Sequence, residues 1–410
     1  METVSKSARK EIVEALRRRY HQASKAEKGT ILGEFTTVTG FHRKHAIRLL
    51  NSSPPSAVEG AIENKEPSPR IYDEAVKAAI VVLWEAADRI CGKRLRAAWP
   101  TLIGVMERHG HLTLAPEIRE KVLAISAATI DRMLTPVRKG AGMRRRRHAG
   151  KKVSKDIPIK TCSDWEDPAP GFLEIDFVVH GGGSMSGEYL HSLVVTDVCA
   201  GWVEAVPLLA REQKLVIEGL NVIRKQLPVP MLGIDSDNDG AFINETLASY
   251  CKDSGIGSTR SRPHMKNDQA WIEQKNGAVI RKMVGYQRLS GIVAGQALAQ
   301  LPLAVRLYVN YFQPSFKLRE RAREGSNVKK FHYPPATPCD QPLAHQSVNE
   351  STKDFLRKQR EALDPLELLQ RIRQGQSALA ALRDGESSNG PARESLDKFL
   401  AALARVVAPW

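Results

Sequence analysis

Cysteine is scarce in this chain of 410 residues: five are present, at Cys91, Cys162, Cys199, Cys251 and Cys339. They are scattered, odd in number and never spaced C-x-x-C, which argues against a disulfide framework or a zinc knuckle. No run approaches the roughly 20 apolar residues that a membrane helix needs. The N-terminus, METVSKSARKEIVEALRRRY, is charged and lacks the apolar stretch of a secretory signal. No repeat of solenoid length occurs. These absences leave a soluble cytoplasmic protein without a membrane partner as the expectation.

Acid is also in deficit. The chain carries 46 Asp and Glu against 61 Lys and Arg, a formal charge of +15. Such an excess favours a polyanionic partner, held by neutralising its phosphates and releasing counterions. Nucleic acid is the foremost candidate, and a double-stranded DNA partner would make the protein nucleoid-associated; a generally basic surface is the alternative. At 410 residues the length suits two to four domains.

The charge is unevenly spread. Residues 1–51 read as helical with a break at Lys28-Gly29-Thr30. Within them ILGEFTTVTGFHRKHAIRLLN has the rhythm of a helix-turn-helix. Thr39-Gly40 supplies the turn, and Ala46, Ile47 and Leu50 form the apolar face of the second helix. Arg43, Lys44 and Arg48 stay polar, as a helix reading a major groove requires. Residues 52–70 are rich in Pro, Ser and Glu and read as a linker. Residues 71–137 form a second helical block. There SAATIDRML begins with Ser126 as an N-cap and either reads DNA or packs within the block. Residues 138–164 form a basic arm. From 138 to 160 it holds ten Lys or Arg and one acid, Asp156. Arg144, Arg145, Arg146, Arg147, Lys151 and Lys152 either track a DNA backbone or are merely solvated.

From residue 165 to 300 the pattern changes. GFLEIDFVVH, YLHSLVVTDV and WVEAVPLL alternate as strands between Gly-rich turns, a pattern that predicts an antiparallel meander. REQKLVIEGLNVIRKQL reads as a helix, MLGIDS as a strand and AFINETLASYCKDSG as a helix. A short strand near Ser258 follows, then a helix from about Asp268 to Tyr286. Residues 301–345 read as a basic, irregular extension, and residues 346–410 as a helical tail.

Three carboxylates stand out. Asp176 lies in the strand LEIDFVV, opposite Leu173, Ile175, Phe177 and Val179 and on the face of Glu174 and Val178. A carboxylate in such a strand is costly unless it is paired or metal-bound. Asp237 follows the strand MLGIDS, at a strand end where sites gather in α/β sheets. Asp235 and Asp239 are its rivals, and periodicity does not choose among them. Glu273 lies on the helix DQAWIEQKNGAVIRKM, with Asn276 and Gly277 on its face. Hard divalent ions prefer a few carboxylates together with substrate phosphate oxygens.

LEIDFV, GIDSDNDGAFIN and SRPHMKNDQAWIEQKNG resemble the three catalytic motifs of insertion-sequence transposases of the retroviral integrase superfamily. Asp237 and Glu273 enclose 35 residues, the spacing of the D,D-35-E group. In that family the strand-end motif reads approximately I-H-S-D-N-G-x-x-F. Ile234, Ser236, Asp237, Asn238 and Phe242 match it, which selects Asp237 over Asp235. Asp239 stands in the place of the usual Gly. The resemblance covers roughly residues 165–345. It implies an α/β RNase H-like core, a mixed five-stranded sheet flanked by helices, preceded by an all-α DNA-binding region. It implies Asp176, Asp237 and Glu273 as catalytic metal ligands for two Mg²⁺ or Mn²⁺ ions, and no other cofactor. It implies cleavage of transposon ends and transfer of the 3′-hydroxyl to target DNA by a homo-oligomer on DNA. Together with the charge it points to Arg262, Lys266 and Lys275 as phosphate contacts. A silent DNA-binding protein on this scaffold, and an RNase H-like nuclease, are the alternatives.

Overall fold

A computed structural model describes residues 6–52, 71–140, 169–183, 186–236, 239, 241–242, 244–260, 270–324 and 327–382. Its residues divide into two compact units, the first ending at Ile71 and the second beginning at Tyr72. Residues 53–70 of the expected linker at 52–70, and residues 141–164 of the expected arm at 138–164, lie outside the described residues.

The first unit is three helices: α1 (Lys6–Gln22), α2 (Lys25–Thr39) and α3 (Arg43–Asn51). Val13 and Tyr20 of α1 close over Ile31, Leu32 and Phe35 of α2 and Ala46 and Leu50 of α3. The helix break falls at Ser24, not at Lys28-Gly29-Thr30, which lie inside α2. Ser24 and Glu27 form a capping box, each side chain bonding the other's backbone N–H. This satisfies two of the orphan donors at a helix start. Gly40, at φ 70°, ends α2 and returns its N–H to the Thr36 carbonyl. A left-handed residue at this turn suits glycine, which has no Cβ to clash. His42 then caps α3, accepting from the Lys44 amide. Arg43, Lys44 and Arg48 are exposed on α3.

The second unit begins with α4 (Glu74–Ala86), α5 (Gly92–Arg108), α6 (Pro116–Ala124) and α7 (Ala127–Gly140). Trp84 and Trp99 lie fully buried among Ile80, Leu83, Leu95 and Leu102. Close approach of α5 and α7 needs Gly92, whose amide donates to Asp131, because a Cβ there would fall 2.5 Å from the Ala127 carbonyl. Ser126 caps α7, accepting from Thr129. The helix runs on to Gly140, so Arg138 belongs to it and pairs with Asp131.

Next come β1 (Phe172–Val179), β2 (His191–Asp197), β3 (Val203–Leu208), α8 (Gln213–Gln226), β4 (Gly233–Ser236), α9 (Glu245–Asp253) and β5 (Gly257–Arg260). The strands form one sheet in the order β3-β2-β1-β4-β5. The first three make the expected antiparallel meander, and β4 and β5 run parallel to β1. Alternation sorts β1: Leu173 and Ile175 face the core under α8 and α9, while Val178 faces the opposite one.

That opposite face is covered by α10 (Ala270–Lys275), a π-helical turn at Asn276–Arg281, α11 (Lys282–Val284) and α12 (Gly291–Phe312). In length and composition α12 is apolar enough to cross a bilayer, contrary to the reading of the sequence, but much of it is buried inside the protein. Its Arg306 bonds the fully buried Glu204 of β3, which also accepts from Trp202 Nε1. Burial pushes the Glu204 carboxyl up against the pull of that guanidinium.

The chain ends in β6 (Leu318–Glu324), β7 (Asn327–His332), α13 (Asp340–Ala344), α14 (Glu350–Ala362) and α15 (Pro365–Ala381). The stretch expected to be irregular thus holds a β-hairpin. Leu368, Ile372 and Leu379 of α15 are buried in the core around α12. The helical block, the sheet and the tail therefore form one unit. The boundary expected at residue 300 falls within α12.

Asp88, in the turn between α4 and α5, fastens three of these parts. Its carboxylate, 9% exposed, accepts from Lys282 of α11 at 2.6 Å and from Arg373 of α15. Both cations are about half exposed, so solvent weakens each pair. We predict that Asp88→Asn, which tolerates the left-handed backbone, lowers unfolding stability by about 1–2 kcal/mol in a urea titration. A midpoint equal to that of the unsubstituted chain would show that the ties carry no stability.

Candidate active site

The site is built on the contact between β1 and α10. Glu174, 2% exposed, accepts the Ile272 amide on Oε2 at 2.7 Å. Two residues on, Asp176 Oδ2 accepts from Asn276 Nδ2 at 2.6 Å, and Oδ1 accepts the Phe177 amide at 2.7 Å. Further on, Arg281 donates to the Val179 carbonyl at 2.7 Å. Burial holds that guanidinium below its usual range, opposed by Tyr286 and Asp176. Strand and helix thus advance in the same direction, joined at three steps.

Glu273 is exposed on α10, one residue after Ile272 and three before Asn276. Residues three apart are neighbours on a helix surface, so Glu273 adjoins the side chain that bonds Asp176. Asp237 lies outside the described residues, and β4 reaches Ser236, paired with Ile175 beside Asp176. The rivals of Asp237 have other partners. Asp235 accepts from Thr259 at 2.7 Å. Asp239 pairs with Arg211 at 2.6 Å and accepts the Ala241 amide. Among the described residues no three carboxylates, histidines or cysteines group as a metal site. The donors present nevertheless suit a hard divalent ion: Asp176 and Glu273 come from adjoining elements, and the Asn276 Oδ1 beside them is buried without a hydrogen-bond partner.

Lys275 does not fit the role expected of it. It is 7% exposed and packs toward the Gly201 turn, so its ammonium is not a surface phosphate contact. Burial, helped by Arg94, lowers its pKa to about 8. Arg144, Arg145, Arg146, Arg147, Lys151, Lys152, Arg262 and Lys266 lie outside the described residues. Sequence reasoning placed Glu174 on the face of Asp176 but gave it no role. The signal was there: a second carboxylate in an apolar strand needs a donor.

On β1, Phe177 stacks on Phe242 at 4.4 Å, and His191 meets Phe177 edge to face. Both ring nitrogens of His191 are buried without hydrogen-bond partners among the described residues. Burial, with Arg211 nearby, lowers its pKa to about 4, against the pull of Asp239. His180 is lowered to about 3, mainly by burial.

The strand order, with two helices under one face and α10 over the other, makes the mixed five-stranded, helix-flanked sheet expected of an RNase H-like core. No model of a known protein family matches the chain. The chain belongs to the family of the uncharacterized protein y4rM of Sinorhizobium fredii: the two are 48% identical over 340 residues, 82% of this chain and 95% of that one. It is also 33% identical over 96 residues to the Pro-Pol polyprotein of simian foamy virus type 3, 23% of this chain but 8% of the polyprotein. Over 193 residues it is 28% identical to the Pro-Pol polyprotein of feline foamy virus, covering 14% of it. The chain therefore spans a small part of those viral proteins. Among solved structures it is similar to the HTLV-2 integrase catalytic core domain in complex with magnesium, in its dimeric form. That match is 17% identical, with a TM-score of 0.27, over 36% of this chain and 92% of that one.

Two predictions follow from the geometry. Glu174→Ala removes the charged acceptor at the Ile272 amide and should cost about 1.5–3 kcal/mol, whereas Glu174→Gln keeps an acceptor oxygen and should cost clearly less. Equal losses in chemical unfolding would show that the bond to α10 does not matter. The second concerns pH. His180 and His191 are neutral in the fold and titrate near 6.5 when unfolded, so the unfolded chain binds more protons between those limits. Their stabilisation is full above about pH 6.5 and is lost as pH falls toward about 4 and then about 3. The Asp197 carboxyl, pushed up to about 6 chiefly by burial, opposes this over part of that range. We expect His191→Phe to flatten the fall in Tm between pH 7 and pH 5; an unchanged slope would remove His191 from the titration.

Proposed function

We propose that this protein is a DNA transposase that cuts transposon ends and joins the released 3′-hydroxyl to target DNA. The observation that carries the reading is the joint between Asp176 and the helix of Glu273, made through Asn276. It supports Asp176 and Glu273 as partners in one site. The 35-residue spacing supports Asp237 as the third member.

Asp176, Asp237 and Glu273 would hold two Mg²⁺ or Mn²⁺ ions. When bound, such a pair supplies Lewis acidity to the attacking and leaving oxygens of an in-line displacement. Around it the chain's own residues have separable tasks. Asn276 orients the Asp176 carboxylate, and Glu174 sets the start of the helix that carries Glu273. Thr259 engages Asp235, and Arg211 engages Asp239. Cleavage and joining share one geometry, so one site serves both, with water as the first nucleophile and the 3′-hydroxyl as the second. Duplex DNA, both transposon end and target, is the substrate, bound by a homo-oligomer. The exposed Arg43, Lys44 and Arg48 of α3 suit base or phosphate contacts, and the basic arm adds sequence-independent grip.

The test uses a duplex ending in the element's terminal repeat, with Mg²⁺ or Mn²⁺. Asp176→Asn, Asp237→Asn and Glu273→Gln should each abolish cleavage and joining while leaving folding and end binding nearly intact. Asp235→Asn and Asp239→Asn should lose less than about tenfold, or ~1.4 kcal/mol of barrier. Activity that survives excess chelator, or that dies with Asp235→Asn but not with Asp237→Asn, refutes the assignment. End binding without any cleavage by the unsubstituted chain would favour a silent DNA-binding protein.

A further inference from the structure

The active site makes no use of the hairpin that follows α12. Among the described residues β6 and β7 pair with each other and with no other strand. The ties among the described residues gather at the root. Ser315 and Ala336 form a β-bridge. The Tyr333 amide donates to the Lys317 carbonyl at 2.9 Å, and Phe316 meets His332 edge to face. Lys317 Nζ donates to the Cys199 carbonyl at 3.3 Å. Just before the root, Arg94 of α5 donates to the Pro314 carbonyl and to Gln313 Oε1. The result is a two-stranded ribbon with a fixed base.

Residues 317–332 hold six Lys or Arg and two Glu. The register sorts these charges. Arg321 pairs with Lys330 and Arg323 with Val328, whereas Glu320 pairs with Phe331, Ala322 with Lys329 and Glu324 with Asn327. Alternate positions of a strand share a face. The positions of Arg321, Arg323 and Lys330 therefore fall on one face, and those of both glutamates, with Lys329, on the other. An irregularity between Leu318 and Glu320 sets Arg319 outside the regular pairing. Arg319 and Lys330 are exposed, and so are Phe331, at 42%, and Tyr333, at 49%.

Charged residues on an isolated hairpin also guard its edges against pairing with other chains. Edge protection does not call for both glutamates on one face and three of the four paired cations on the other. A two-stranded ribbon is also of a size that the major groove of B-DNA, about 12 Å wide, admits. We infer that this ribbon is a DNA-contacting arm, laid with its Arg321, Arg323 and Lys330 face against duplex phosphates. The inference rests on the DNA partner proposed above and extends it to an element outside the catalytic core. Because Arg94 anchors the base, DNA held by the ribbon is positioned relative to the α4–α7 block as well.

The test is equilibrium binding of the full chain to a short random-sequence duplex, in chelator, between about 50 and 200 mM salt. Each phosphate contact contributes about 0.9 to the slope of log K against log salt. The triple variant Arg321→Ala, Arg323→Ala, Lys330→Ala should reduce that slope by roughly 2–3. Its affinity at low salt should drop at least about tenfold, with Tm unchanged. The pair Glu320→Gln, Glu324→Gln should bind as well as the unsubstituted chain or more tightly. An unaltered slope in the triple variant overturns the proposal. If that variant instead sediments as a smaller species with the slope intact, the ribbon joins copies of the chain, which overturns the proposal equally. An unsubstituted chain that binds no duplex at any salt defeats both this inference and the DNA partner. Loss of slope in a chain that cleaves nothing still supports the arm and leaves the fault with the catalytic reading.

Discussion

A match of repeat lengths between one strand and one helix sets the geometry at the centre of this protein. Same-face positions on a strand recur about every 6.7 Å. Residues four apart on a helix rise by about 6 Å. Glu174 and Asp176 meet Ile272 and Asn276 at these two intervals, so two hydrogen bonds form in step. A helix as short as α10 has little stability of its own. Its place therefore depends on acceptors supplied by β1. The same bonds relieve the cost of two carboxylates within an otherwise apolar strand. Folding and site geometry share one set of contacts.

The remaining architecture keeps that joint from shifting. The buried pair of Glu204 and Arg306 ties β3 to α12, and Asn310 adds two bonds to the Val203 backbone. Tyr308 and Gln313 of the same region donate to the carbonyls of Ala86 and Ala87 at the end of α4. Desolvation pushes the Tyr308 hydroxyl far above its ordinary range, so it remains a donor. Through Asp88 the helical block also holds α11, which continues the helix of Glu273. The α4–α7 block is thus a structural neighbour of the helix that carries Glu273, rather than a module on a tether.

The strands of the core were legible because LEIDFVV, HSLVVTD and VEAVPL carry the alternation of half-buried and buried strands. Asp237 lies outside the described residues, and its selection over Asp235 and Asp239 rests on motif and spacing, because periodicity does not choose among them. The partner of Glu174 was not legible: Ile272 lies about a hundred residues away, and its donor is a backbone amide common to almost every residue type. Lys275 misled because a charge reads as surface. Yet Ile272, Lys275 and Val279 follow the buried spacing of α10 and the turn after it. The hairpin was hidden by its charges, which mask strand propensity. The break before α2 was written in Ser24 and Glu27, but the glycine at 29 drew attention instead.

The π-helical turn at Asn276–Arg281 adds a residue to one revolution of the helix. An α-helix turns by roughly 100° per residue, so everything beyond this point is offset by about that angle from a continuous α-helix. Before the offset, Asn276 addresses Asp176; after it, Lys282 addresses Asp88. No single straight stripe of side chains serves both directions. The wide turn behaves as a phase shifter, letting one helix answer to Asp176 of β1 at one end and to the helical block at the other. Shortening this segment by one residue would make a more regular helix with only one of its two addresses intact.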